Sequence, residues 1–524
     1  MRRSFKLTGC LLTAGLLLAG CGDAPAKHSA EADGYGDAIK VVDDYDADAH
    51  FDFAYTTFAP TWDPIESVGG TDSVFYDPVY DRLLREDKDG DIHPMLAEEF
   101  EVSDDNMMLT LKLREGLTFS DGTPLDAEAV KFNLDRVQTP ESRVRGDLYM
   151  VASVEVVDPL TVTLHLSGGI GSLPTALANT AGIMVSPAAA QAGLLTEQPV
   201  GVGPYVATNI EPGASVEYER TPDYWDPDAQ RVATMTYYLM TDDQTRNNAL
   251  KSGQVDGANI STVDLDSTVS DDFTAVVKQS SLIIYISVNG AKGELGNPEV
   301  RKALNMSIDR EALAQGLYDG YCTPQIQPFP ETSAGYSEKI GDGLDIFPYD
   351  PEKAKEMLAD AGASNLDLTL VASNSTSTTK LAEVLQEQLS HVDINVEVST
   401  MPPVPLVEAF TATKTADMLT SMSSGINDPG VIFQRYMVPQ ALYNPGNLEY
   451  PELAKYGAEA AASLDPEERK PAYEKFMDAW VAEPPHFIPL CMANNASVYA
   501  DNISGIAQKA NGYPDLRGVA VSKK

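Results

Sequence analysis

The sequence predicts an α/β protein built from two or three domains. Its 524 residues are more than one simple core organises. Two stretches set the class. Leu109, Leu111 and Leu113 alternate with Thr110, Lys112 and Arg114, the period-two pattern of a half-buried strand. Asp121-Gly122 then supplies a turn, and Asp126, Glu128, Val130, Phe132 and Leu134 lie in a helix-like run with acids in its first turn. Further on, Leu366 to Val371 reads as a strand, Lys380 to Leu389 as an amphipathic helix, and Ile394, Val396 and Val398 as the next strand. That succession predicts a mixed α/β unit with right-handed crossovers.

Taken in order, Phe51 to Tyr55 opens the first strand, followed by a loop at Thr56 to Pro60. Ser186-Pro187 starts a short capped helix. Gly201 and Gly203 in GVGPY are backbone turns and no phosphate cradle, since no strand-turn-helix GxGxxG surrounds them. Ser281 to Val288 is an apolar strand. Pro298 to Leu317 is predicted as one helix, with Val300, Leu304 and Ile308 on one face. Arg301 and Arg310 flank that face, either as carboxylate ligands or as solvated or salt-bridged helix charges. Asp350 caps and Pro351 starts another helix, ended by Gly362. Asn374 to Thr379 is a polar loop, Pro466 to Ala482 a late helix, and Ile488 to Met492 a return strand.

The formal net charge is −41. No basic patch is available to displace counterions from phosphate, so nucleic-acid binding is excluded as a class. Such a charge keeps a protein soluble and monomeric. Arg2, Arg3 and Lys6 precede an apolar run from Leu7 to Leu18, too short to span a bilayer but suited to export. The run ends Leu18-Ala19-Gly20-Cys21, which looks like a bacterial lipoprotein box with Cys21 as the lipidated residue. The stretch after it is rich in Asp, Ala and Gly and reads as a flexible acidic tether.

The wording LREGLTFSDGTPLDAEAVKFNLDR, from Leu113 to Arg136, closely resembles the signature of the extracytoplasmic solute-binding proteins of family 5, the peptide- and nickel-type receptors of ATP-binding-cassette importers. Trp62-Asp63-Pro64, Pro94-Met95-Leu96-Ala97-Glu98, Asp223-Tyr224-Trp225, Val300-Arg301-Lys302-Ala303-Leu304 and Tyr349-Asp350-Pro351 continue the resemblance. It implies a two-lobed, periplasmic-binding-protein-like fold (type II, cluster C) with an extra subdomain in the first lobe. The expected division is a signal peptide at 1–20, the tether at 21–48, lobe I at 49–85, the extra subdomain at 86–202, lobe I again at 203–286, lobe II at 287–490 and a return to lobe I at 491–524. It also places Cys322 and Cys491 near the hinge, either bridged or as two buried thiols.

The resemblance implies where the ligand sits. The loop after the first strand faces the cleft, making Phe58 and Trp62 candidates, with core packing as the alternative. Ser421 to Pro429, SMSSGINDP, resembles the family's cleft segment. Met422, Ser424, Gly425, Asn427 and Asp428 are therefore candidates. Gly425 stands where peptide-binding relatives commonly place an Asp for the α-ammonium. Asp428 matches a second Asp, a ligand contact or a turn-capping residue. Dipeptide-type relatives place an Arg in the loop that here carries Asn374 and Ser375, and Arg435 is either its replacement or a surface charge. A peptide is the expected ligand. An oligosaccharide or chelated metal is the alternative, with permease and ATPase subunits and the membrane as partners.

The sequence calls for no cofactor and no covalent chemistry. It contains no HExxH, no CxxC, no GxSxG and no Walker A motif. No two of its six histidines are spaced as metal ligands on one helix. A secreted hydrolase on a similar scaffold would need such a constellation.

Overall fold

A computed structural model describes residues 35–67, 70–423 and 428–523. The predicted signal segment, Cys21, most of the tether, and the candidates Ser424, Gly425 and Asn427 lie outside the described residues. The last part of the expected tether is described and is tied down. Ala38–Ile39 pairs antiparallel with Ile506–Gln508, and a bridge joins Tyr45 to Ser522.

One eleven-stranded sheet runs through the molecule. Its centre is a pair of long antiparallel strands, Phe273–Val288 and Phe487–Ala500, in register from Phe273 opposite Ala500 to Ser287 opposite Phe487. On one side, Gly257–Asn259, His50–Tyr55, Thr234–Leu239, Ser215–Arg220 and Tyr205–Glu211 extend the sheet into the first lobe. On the other, Met418–Ser423, Asp367–Ser373 and Asn395–Met401 extend it into the second. The register of the central pair shifts between Gln279 and Leu282. There the packing changes lobe: Val277, Ala496 and Val498 belong to a first-lobe core, while Leu282 and Ala493 belong to a second-lobe core. The two cores thus change over at 279–282 and 493–495. The return strand is 14 residues long, well beyond Met492, because its whole length has a partner to pair with.

Alternation explains why Ser281 to Val288 is apolar on both faces. Ile284, Ile286 and Val288 face one second-lobe core with Leu370 and Leu385, while Ile283 and Tyr285 face another with Phe433, Phe476 and Trp480. Helices cover both faces, and the two polar side chains of the run, Ser281 and Ser287, are buried as well. A separate four-stranded sheet, ordered Ala97–Val102, Met108–Leu113, Thr161–Leu166 and Val151–Asp158, forms the extra subdomain. Leu109, Leu111 and Leu113 are fully buried there beneath the Ala127–Val137 helix, whose first turn is capped by Asp126 accepting from the Ala129 N–H at 3.0 Å.

Three local predictions change. Pro298 to Leu317 is two helices, Pro298–Met306 and Arg310–Tyr318. Asp309 breaks the run by accepting the Ala312 N–H at 2.9 Å, a new N-cap. Arg301 and Arg310 are neither solvated nor ligand-facing. Each is almost fully buried and donates to backbone carbonyls, Arg301 to Pro484 and Gly296 at 2.7 Å, Arg310 to Pro489 at 3.0 Å and Asn305 at 2.9 Å. Burial pushes the Arg310 guanidinium down to about 10. The helix expected from Lys380 begins at Thr376, because Ser375 caps it.

Cys322 and Cys491 are joined by a disulfide, with Cα atoms 5.5 Å apart across 169 residues of sequence. It fixes the short Cys322–Pro324 strand to the second-lobe end of the central pair. Replacing both cysteines by serine is expected to cost about 2–4 kcal/mol of unfolding free energy, mainly by freeing a long loop in the unfolded chain. Urea denaturation of the oxidised protein and the double variant reads this directly. Equal midpoints would mean that the bridge adds no stability.

Candidate functional site

A cavity of about 1350 Å³ lies where the lobes meet the central strands. The first lobe contributes Tyr55 to Phe58 and the turn around Arg145–Leu148, the second Ser373 to Thr378, Met422 and the segment Gln434 to Tyr436, and the joint itself Leu282, Asn494 and Asn495. Hydrogen bonds also join the two lobes directly. The Gly171 N–H donates to Ala461 O at 2.9 Å, Asn106 Nδ2 to Ala462 O at 3.0 Å, and Arg435 Nη2 to Asp147 Oδ1 at 3.4 Å. Gly169 makes this approach achievable: a Cβ there would lie 2.0 Å from Ala461 O.

The predicted site residues divide. Phe58, Asn374, Ser375, Met422 and Arg435 line the cavity. Phe58 packs on Phe75 with ring centroids 4.8 Å apart, and Met422 is half exposed on the wall. Ser375 also caps the helix behind the wall, with its Oγ accepting the Thr378 N–H at 3.4 Å. Arg435 lies on the wall, ion-paired with Asp147 from the opposite lobe.

Trp62 and Asp428 do not line the cavity. Trp62 is 2% exposed in the first-lobe core, and its carbonyl accepts the Tyr80 hydroxyl at 2.7 Å. Its large apolar ring is worth more in that core than on a wetted wall. Asp428 is 5% exposed and held by both Arg469 Nη atoms at 2.6 and 2.9 Å, while it caps the following turn through the Gly430 N–H at 2.8 Å. Burial works against charge on Arg469, and Asp428 beside it more than offsets that, so the guanidinium is held above its usual range.

Sequence reasoning missed the first-lobe side of the wall. Glu141, Arg143, Arg145 and Tyr149 are exposed on it, from one irregular stretch with no periodicity to read. The one signal was compositional, two arginines within three residues of a strongly acidic chain. Three buried polar atoms of wall residues, Thr57 Oγ1, Ser142 Oγ and Asn494 Oδ1, have no hydrogen-bond partner among the described residues. Such groups are what a bound solute or ordered water satisfies. Among the described residues no group of three or more His, Cys, Asp or Glu is placed to hold a metal ion, and no helix is long and apolar enough to cross a membrane.

The Asp428 assignment has a measurable consequence. Arg469→Met leaves a buried carboxylate without its partner and is expected to lower unfolding free energy by about 3–5 kcal/mol. Arg469→Met combined with Asp428→Asn should recover much of that loss in the same denaturant titration. A single variant as stable as the parent would return Asp428 to the list of ligand contacts.

A family model described as bacterial extracellular solute-binding proteins, family 5 Middle, matches residues 91–442. The chain is 30% identical over 462 residues to the glutathione-binding protein GsiB of Escherichia coli (strain K12), covering 85% of this chain and 89% of that one. Its fold superposes with a TM-score of 0.83 on AgaA of A. tumefaciens R10, solved in complex with agropinic acid, at 23% identity over 91% of this chain and 99% of the other. DppA of Helicobacter pylori, solved with the peptide STSA, gives 0.81 at 21% identity over 92% and 99%. The family match spans more than half of the chain and the relatives share its two-lobed fold, so the chain belongs to the family 5 bacterial extracellular solute-binding proteins, the substrate receptors of ATP-binding-cassette importers.

Proposed function

We propose that this receptor is anchored to the extracytoplasmic face of the membrane by lipid on Cys21 and captures peptides for a cognate permease and its ATPase subunits. The observation that carries the ligand part is the cavity. At about 1350 Å³ it exceeds the ~300–1,000 Å³ typical of small-ligand sites, room for a tripeptide or longer. Its unpartnered groups suit a peptide backbone: Asn494 Oδ1 accepts an N–H, and the Thr57 and Ser142 hydroxyls donate or accept. GsiB is named for glutathione, a tripeptide. Ligand capture needs only that the lobes hinge about the central strands and bring the wall residues together.

A non-peptide polar solute is the second reading, favoured by the uncharged run Asn374 to Thr378 on the wall and by the agropinic acid in AgaA. Residues 22–524, tested by thermal shift against di- to pentapeptides and a saccharide panel, separate the two. A peptide at 100 times its Kd should stabilise the protein by about 2.7 kcal/mol. Stabilisation by saccharides and by no peptide would replace the first reading with the second.

A further inference from the structure

We propose that the cavity selects a small acidic peptide or peptide-like conjugate, with its carboxylates on Arg143 and Arg145 and its ammonium on Glu141. This rests on the receptor reading above and names the ligand class of the same cavity.

The first observation is a reversal of charge. The chain has 78 Asp and Glu against 37 Lys and Arg. The cavity wall instead carries eight cationic side chains and six carboxylates. Most of the cations are already matched. Arg82 and Lys509 share Asp77, Arg85 meets Asp515 at 2.9 Å, Arg246 meets Asp243, Arg517 meets Asp81 at 2.9 Å, and Arg435 meets Asp147.

Arg143 and Arg145 are the exceptions. Both are exposed on the wall, and among the described residues neither has a carboxylate within ion-pair distance. In a chain with twice as many acids as bases, an unmatched guanidinium is the less expected state. Two of them within three residues, facing a cavity, leave planar donor forks suited to carboxylates. Glu141, two residues before, is exposed on the same wall and likewise has no cation beside it among the described residues. Two guanidiniums and one carboxylate complement a ligand with two carboxylates and one ammonium.

The second observation concerns the ligand's other end. Of the large apolar side chains left exposed, Met422 (50%), Leu442 (46%) and Tyr149 (38%) line this cavity. Exposed apolar surface inside a cleft marks contact with a ligand. The captured molecule therefore presents an apolar portion to Met422 and Leu442 and its charged groups to the first-lobe stretch.

The test is isothermal titration of residues 22–524 with glutathione, glutathione diethyl ester and an uncharged-side-chain tripeptide. Glutathione has two carboxylates and one ammonium, and the diester keeps the ammonium alone. The parent should bind glutathione at least about 10-fold more tightly than the diester, the effect of one charge-assisted hydrogen bond. Arg143→Gln and Arg145→Gln should each weaken glutathione binding about 10-fold or more and leave the diester nearly unchanged. The double variant should no longer discriminate. Glu141→Gln should weaken both ligands, which probes the ammonium side separately. All three side chains are exposed, so unfolding midpoints should stay at the parent value. Equal binding of diester and glutathione, or a double variant that still discriminates, overturns the acidic-ligand inference and leaves the peptide receptor standing. Absence of binding by all three ligands counts against both.

Discussion

The pairing of Phe273–Val288 with Phe487–Ala500 is the constraint on which the rest depends. Two strands cannot belong to two lobes unless backbone hydrogen bonds continue across the joint. They do, with shifts of register between Gln279 and Leu282 and between Ile284 and Tyr285, where the local twist of the ladder changes. Relative movement of the lobes is therefore confined to bending and twisting of this ribbon. The disulfide sits just beyond the joint, and the strand it fixes reaches into it: the Asn494 N–H donates to Tyr321 O at 2.9 Å and Gln279 Nε2 to Thr323 Oγ1 at 2.8 Å. The cavity opens at the same place, which puts ligand contacts and hinge within a few residues of each other. Where the lobes touch at 169 and 461, backbone approaches backbone, and a side chain in place of Gly169 would prevent it.

Charge is distributed along the same lines. A formal charge of −41 is tolerated because the acids lie mostly on the surface, where water screens them. Several of the scarce arginines are placed inside. Arg301 and Arg310 gather carbonyls at helix ends and strand turns, Arg246 binds the carbonyls of Asn259 and Met240 at 2.7 Å, and Arg469 holds Asp428 while reaching toward the first lobe. Planar donors with five N–H groups satisfy several orphan acceptors at once, a task one ammonium performs poorly. Against this background the cavity wall, with cations in excess, is the part of the molecule that departs from the pattern.

The legible part of the fold was the part governed by periodicity. Leu109, Leu111 and Leu113 alternate because one face is buried, and the apolar run Ser281 to Val288 is continuous because both faces are. Caps were legible too: Asp126, Ser186 and Asp350 hold their helices by side-chain hydrogen bonds that their residue types announce. The break at Asp309 was hidden because Val300, Leu304 and Ile308 keep helical spacing through it, and one cap outweighs that spacing. The site was less legible. Trp62 and Asp428 occupy positions whose role depends on what packs behind them, Tyr76 and Arg469, which are distant in sequence. Arg143 and Arg145 act through an irregular turn, where no local pattern separates a surface charge from a wall.

The most direct test of the account is the identity of what the receptor carries. Residues 22–524, purified gently and then denatured, would release what they carry for mass spectrometry. The account predicts a small peptide or peptide-like conjugate with more carboxylates than amines. A neutral saccharide released in stoichiometric amount would contradict it, and would move recognition from the arginines of the first lobe to the hydroxyl-rich run at Asn374.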